Sequence, residues 1–109
     1  LERTLDTGPP RSSILPPVVT HNRLASRFEA QTGGGMAVCS YDRFRGVLNL
    51  VHTEVPRDSR HRGVAGALVR HALDWAREQG LRVRPSCSYV AAYMRRHPET
   101  QDLLNDPEP

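Results

Sequence analysis

The chain has 109 residues, a formal net charge of +3, two cysteines and one tryptophan. That length holds one small domain around a single modest core. No apolar run is long enough to span a bilayer, and a small basic excess interspersed with acidic residues does not make a nucleic-acid footprint. All fifteen basic residues are arginine. This removes any mechanism that needs a Schiff-base lysine and leaves a planar fork suited to phosphate oxygens.

Residues 1–20, "LERTLDTGPPRSSILPPVVT", hold four prolines and few aromatics. They read as a disordered or loosely tethered leader. They lack the basic-then-apolar order of a signal peptide, so the expectation is a soluble, cytoplasmic protein with a domain at 21–105 and a loose tail at 106–109. Cys39 and Cys87 show no metal-ligand spacing or disulfide framework, and the five histidines form no HExxH. Two reduced thiols and no metal are expected.

From Asn22 to Val55 the pattern is that of an antiparallel meander. Gly33 to Gly35 supply a turn between "SRFEAQ" and "MAVCSY". A second turn at "DRFRG" leads into "VLNLVHTEV", where alternation puts Leu48, Leu50, His52 and Glu54 on one face. Val47, Asn49, Val51, Thr53 and Val55 fall on the other. Cys39 reads as core filler, and Pro56 ends the last strand. After the polar link "RDSRHRG", the segment "VAGALVRHALDWAREQG" predicts a helix closed by Gly80. Its apolar stripe is Ala65, Leu68, Val69, Ala72, Leu73 and Ala76, with Trp75 at the edge and Arg70–Asp74 as an i, i+4 pair. "LRVRPS" predicts a short strand closed by Pro85, Tyr89 to Arg96 a helix stopping before Pro98, and "PETQDLL" a further helical turn. The fold class is α/β (α+β): a mostly antiparallel sheet with one crossover helix, one parallel pair and short C-terminal helices.

The loop "RHRGVAG", Arg60 to Gly66, joins strand to helix. Amides at a helix N-terminus lack internal partners, and the dipole there favours an anion. Gly63 and Gly66 permit close approach of a ligand to the main chain, and Arg60, His61 and Arg62 add positive charge. A phosphate or pyrophosphate suits such a place; the alternative is a flexible basic loop whose glycines only permit a turn.

The spacing Arg60-x-x-Gly63-x-Ala65 after a strand resembles the acetyl-CoA loop of the GNAT N-acetyltransferase superfamily. With "HTEVP", "RGVA" and "PSCSYV", the stretch from Asn22 to Leu104 resembles its very small, single-domain branch (YjdJ-like, NAT-domain-only). The resemblance implies a minimal GNAT fold that uses acetyl-CoA as co-substrate. Main-chain atoms of Thr53, Glu54 and Val55 would pair with the pantetheine arm. Arg60, His61, Arg62, Gly63, Val64, Ala65 and Gly66 would hold the pyrophosphate. Cys87 would lie beside the thioester and Tyr93 near the leaving sulfur. Where larger relatives carry a strand glutamate as general base, this chain has Asn49.

Acetyl transfer to an amine requires a deprotonated amine, a stabilised oxyanion and a protonated leaving thiolate. Tyr93 is the expected acid, and His52 or Glu54 the expected base. Cys87 is open between acyl-accepting nucleophile, proton-transfer group and inert lining. The acceptor is an amine of a small molecule or a protein amino group, with no nucleic acid or membrane partner expected, and no motif bears on oligomeric state. A chain this short has few loops to enclose an acceptor, which implies an open, shallow site. A non-catalytic acyl-CoA-binding module is the alternative from a different class.

Overall fold

Two tight turns set the sheet. At one, Gly33 and Gly34 separate two strands, with the Thr32 hydroxyl donating to the Gly35 carbonyl at 2.6 Å. At the other, Arg45 and Gly46 take φ of 52° and 79°, the left-handed pair of a twist-matched hairpin. The computed structural model describes residues 17–60 and 62–105. The leader through residue 16, His61 and the tail 106–109 lie outside the described residues.

Five strands lie in one sheet in chain order: β1 (Thr20–Asn22), β2 (Arg27–Thr32), β3 (Gly35–Phe44), β4 (Val47–Glu54) and β5 (Arg82–Pro85). The first four pair antiparallel and β5 joins β4 in parallel. The crossover between them is helix α1 (Val64–Gln79), preceded by a 3-10 turn at Arg57–Ser59. Helix α2 (Ser88–Arg96) and a 3-10 turn at Pro98–Leu103 complete the fold. This is the mixed, compact α/β fold that the minimal GNAT resemblance implies. Strand β1 was not foreseen, because "THN" has no apolar alternation. Tertiary packing makes it: His21 stacks on Phe28 with centroids 4.0 Å apart and meets Trp75 edge-on at 4.5 Å.

Both helices cover one face of the sheet. Phe28, Ala30, Ala37, Cys39, Tyr41, Leu48, Leu50 and Val83 are buried there against Leu68, Val69, Ala72, Leu73 and Ala76 of α1 and Val90 and Met94 of α2. Each fully buried Leu or Val in this layer contributes roughly 1.5–3 kcal/mol through removal from water. Gly80 closes α1 in the left-handed conformation at φ 70°, its N–H bonded to carbonyls of the last turn.

Two sequence expectations are corrected. Arg70 does not pair with Asp74; its guanidinium donates to Glu99 at 2.9 Å and lies 5.8 Å over the Tyr93 ring. The Pro98–Leu103 turn packs against α1, so a fixed carboxylate outcompetes an i, i+4 pair worth a few tenths of a kcal/mol. Arg77 is held likewise, by Asp102 at 2.8 Å and 3.0 Å.

The second correction concerns β4. Tyr41 pairs with Leu50 and Ser40 with His52, leaving Val51 unpaired in a β-bulge. An extra residue reverses the alternation beyond it. Leu48 and Leu50 face the helices, but His52 and Glu54 do not share that face; Thr53, opposite Cys39, takes the inward place.

Candidate active site

The β4–β5 ladder runs only from Val47↔Arg82 to Leu50↔Pro85. Its last tie is the Cys87 N–H donating to the Leu50 carbonyl at 2.9 Å. Beyond it, β4 continues to Glu54 while the other chain turns into α2, so the two separate. Where they separate lies a cleft of about 410 Å³, lined by Thr53, Val55, Ser59, Arg60, Gly63, Val64, Ala65 and Tyr89. The end of β4, the connecting loop and the starts of both helices therefore meet around one space.

The loop side of this cleft is built from backbone. Gly63 caps α1 at φ 78°, and no neighbour lies within 4 Å of where a Cβ would stand. Among the described residues no side chain caps the helix, and its first turn carries no acidic residue. The first-turn amides and the positive end of the helix dipole thus have no side-chain cap among the described residues. Arg60 folds back so that Nε donates to the Val55 carbonyl at 3.2 Å, fixing its guanidinium beside the strand end. Arg62 is exposed. Gly66 lies inside α1, where an added Cβ would stand 3.7 Å from the Tyr89 hydroxyl and 3.8 Å from the Tyr93 ring.

Cys87, the half-buried N-cap of α2, is not in the lining but lies behind it, against the lining residue Thr53. Burial acts to raise its thiol pKa, but the Thr53 hydroxyl and the backbone N–H groups of Val90, Tyr89 and Thr53 outweigh it. The thiol is therefore held below its ordinary value. Its sulfur lies 3.5 Å from Thr53 Oγ1, which in turn lies 3.9 Å from the sulfur of Cys39. Cys39 is the opposite case: fully buried, with its pKa pushed up to about 11 by burial, so it stays a thiol.

The remaining expected residues are dispersed. Tyr93 is 6 % exposed and stacks on His97 at 3.9 Å, beneath the cleft rather than in its lining. Tyr89, one turn earlier, lines it, and burial raises its phenol pKa despite the nearby Arg96. His52 and Glu54 contact each other at 3.3 Å on the uncovered face of the sheet. Asn49 lies on that face too, where it accepts a hydrogen bond from the Ser86 hydroxyl at 2.6 Å.

The sequence profile of the GCN5-related N-acetyl-transferases matches residues 27–103. This chain belongs to that family. The GNAT match takes in all of β2 to β5, both helices and every described residue of the cleft. Among curated relatives, protein NATD1 of Xenopus tropicalis is 34% identical over 102 residues, 91% of either chain. Protein NATD1 of Mus musculus is 34% identical over 88 residues, 78% of this chain and 80% of its own. That of Danio rerio is 30% identical over the same share.

Sequence reasoning missed Tyr89 and the side chain of Thr53. Tyr89 could have been found from helix phase, since it precedes Tyr93 by four residues and so shares its face. Thr53 could not, because its inward placement follows from a bulge with no local sequence mark.

Proposed function

We propose that this GNAT chain binds acetyl-CoA in the cleft and transfers the acetyl group to an amine of a small molecule or a protein. The observation that carries this is the convergence of a glycine-capped, uncapped-by-side-chain helix start with the parted end of β4 around one cleft. Gly63, Val64 and Ala65 would offer amides to the pyrophosphate, with Arg60 beside them and Arg62 at the rim. The free edge of Thr53 to Val55 would bond the pantetheine amides as a strand does. Acetyl-CoA supplies the activated acyl thioester; everything else is positioning and proton management by the chain.

In this reading Cys87 faces the thioester, one hydrogen bond behind the lining residue Thr53. A phenol of α2 protonates the departing sulfur. The resemblance assigns that role to Tyr93, and the cleft lining favours Tyr89. A thiol used in catalysis at Cys87 is best kept reduced in a compartment such as the cytoplasm, where this reading puts the reaction. The uncovered sheet face beside His52 and Glu54 supports an open acceptor side suited to an amine on a larger molecule.

The test is calorimetry with CoA, followed by turnover with acetyl-CoA and an amine library. Wild type should bind, and Gly63→Asp, which sets an anion at the helix start, should weaken affinity by more than about tenfold. No affinity in the wild type would sink the reading. Turnover should fall sharply in Cys87→Ala and Cys87→Ser, and more in whichever of Tyr89→Phe and Tyr93→Phe removes the acid. An acetylated Cys87 peptide in the mass spectrum would identify the covalent route. The alternative, a binding module with little transferase activity, draws support from Asn49: it is tied to Ser86 where larger relatives carry a glutamate. Binding without amine-dependent CoA release would select it.

A further inference from the structure

The bulge at Val51 does more than bend β4. It places a hydroxyl, not an imidazole, on the inner face between the only two sulfurs of cysteine in the chain. As a thiol, Cys87 donates its proton to Thr53 Oγ1 at 3.5 Å, and the Thr53 hydroxyl donates onward to Cys39 Sγ at 3.9 Å. The second of these bonds is long and ends on a neutral sulfur, a weak acceptor. Cys39 has no solvent exposure. It therefore cannot relax toward water and holds the hydroxyl only loosely.

We propose that Thr53 is a positioning residue for Cys87: its hydroxyl switches from Cys39 to Cys87 when Cys87 ionises, and so holds the thiolate at the edge of the cleft. This deepens the reading in which Cys87 takes part in acyl transfer, and rests on it. The Thr53 hydroxyl keeps its proton throughout and changes only direction, while Cys87 gives its proton to water. A charged acceptor makes the new bond stronger than the one it replaces. Backbone groups of Val90, Tyr89 and Thr53 also act to lower the thiol's pKa, although its side chain makes no capping hydrogen bond to the helix.

Among the described residues, the titratable groups near the sulfur are few. Cys39 approaches from β3, Tyr89 from α2 and Arg60 lines the same cleft from the loop. Burial keeps both Cys39 and Tyr89 protonated through the neutral range. His52 and Glu54 of β4 lie on the opposite face of the sheet, as does Arg84 of β5 beside Asn49.

The experiment is the rate of Cys87 alkylation by iodoacetamide as a function of pH. It needs no acyl donor, and the buried Cys39 does not compete. Thr53→Val removes the donor at nearly constant volume. Its profile should shift to higher pH by about one unit, the scale of one hydrogen bond to a charged group. At neutral pH, roughly tenfold less thiolate, partly offset by its higher nucleophilicity, slows alkylation about threefold. Thr53→Ser should restore the wild-type profile. Cys39→Ala removes the competing acceptor and should move the profile to lower pH. If Thr53→Val does not fold by circular dichroism, Thr53→Ala is read in its place.

A wild-type profile in Thr53→Val, or a Thr53→Ser profile displaced as far as that of Thr53→Val, overturns the proposal. An upward shift in Cys39→Ala also overturns it. If the profiles move as expected but no amine is acetylated, Thr53 keeps its role and the transferase reading is what fails.

Discussion

The two halves of β4 differ in what they are for. Val47 to Leu50 alternates regularly, pairs on both edges and buries Leu48 and Leu50 completely. His52 to Glu54 follows the bulge at Val51, pairs only with β3 and ends in exposed polar side chains and a cleft. The first half is bound by packing and the second is released from it. One strand thereby anchors the core and still ends in a free edge beside the cleft, and the changeover takes a single unpaired residue.

That contrast can be broken at several points. The largest expected effect is on stability in the first half: Leu50→Ala should cost about 2–5 kcal/mol in chemical denaturation, by cavity formation. A loss below 1 kcal/mol would mean that this half is not the anchor.

The two cysteines sharpen the contrast through pH. In the folded state Cys39 holds its proton up to about pH 11, whereas an unfolded thiol releases it earlier. Its contribution is therefore intact below the ordinary thiol value and disappears as pH rises toward 11, by about 2–3 kcal/mol in all. Wild type should lose stability over that alkaline window more steeply than Cys39→Ala, whose own loss on core truncation is independent of pH. Parallel curves for the two proteins would refute the burial argument.

Deletion of Val51 addresses the changeover itself. Without it the inward and outward residues keep their faces, the bulge disappears and the strand end straightens. The protein should fold, with CoA affinity weakened by about tenfold in calorimetry. Unchanged affinity would show that the bulge does not shape the free edge. The smallest effect belongs to His52→Ala. His52 and Glu54 side chains are 60% and 69% exposed, so stability should change by no more than about 0.5 kcal/mol. A drop in turnover without such a change would make His52 the base.

Most of the architecture was legible in the sequence because it rests on local signals. The long helix declared itself through an apolar stripe and Gly80, and the parallel pair followed from strand, crossover and strand. The glycine turn predicted one hairpin and "DRFRG" the other. What remained hidden depends on pairing across the chain. Val51 is as strand-prone as its neighbours, and only the register against Ser40 and Tyr41 makes it the extra residue. The Arg70–Glu99 ion pair spans 29 positions, and no local rule ranks it above Asp74. The loop that faces the cleft was found by spacing, whereas the inward turn of Thr53 came from the bulge alone.

The tip of the β2–β3 hairpin leans on the other end of this machinery. A Cβ at Gly34 would stand 3.3 Å from that of Pro56 and 3.4 Å from that of Asp58, in the link that leads to Arg60 and Gly63. The hairpin therefore acts as a buttress, and its thickness sets where the loop can rest. A single methyl group there would be a shim, able to move the loop from a residue outside the cleft lining.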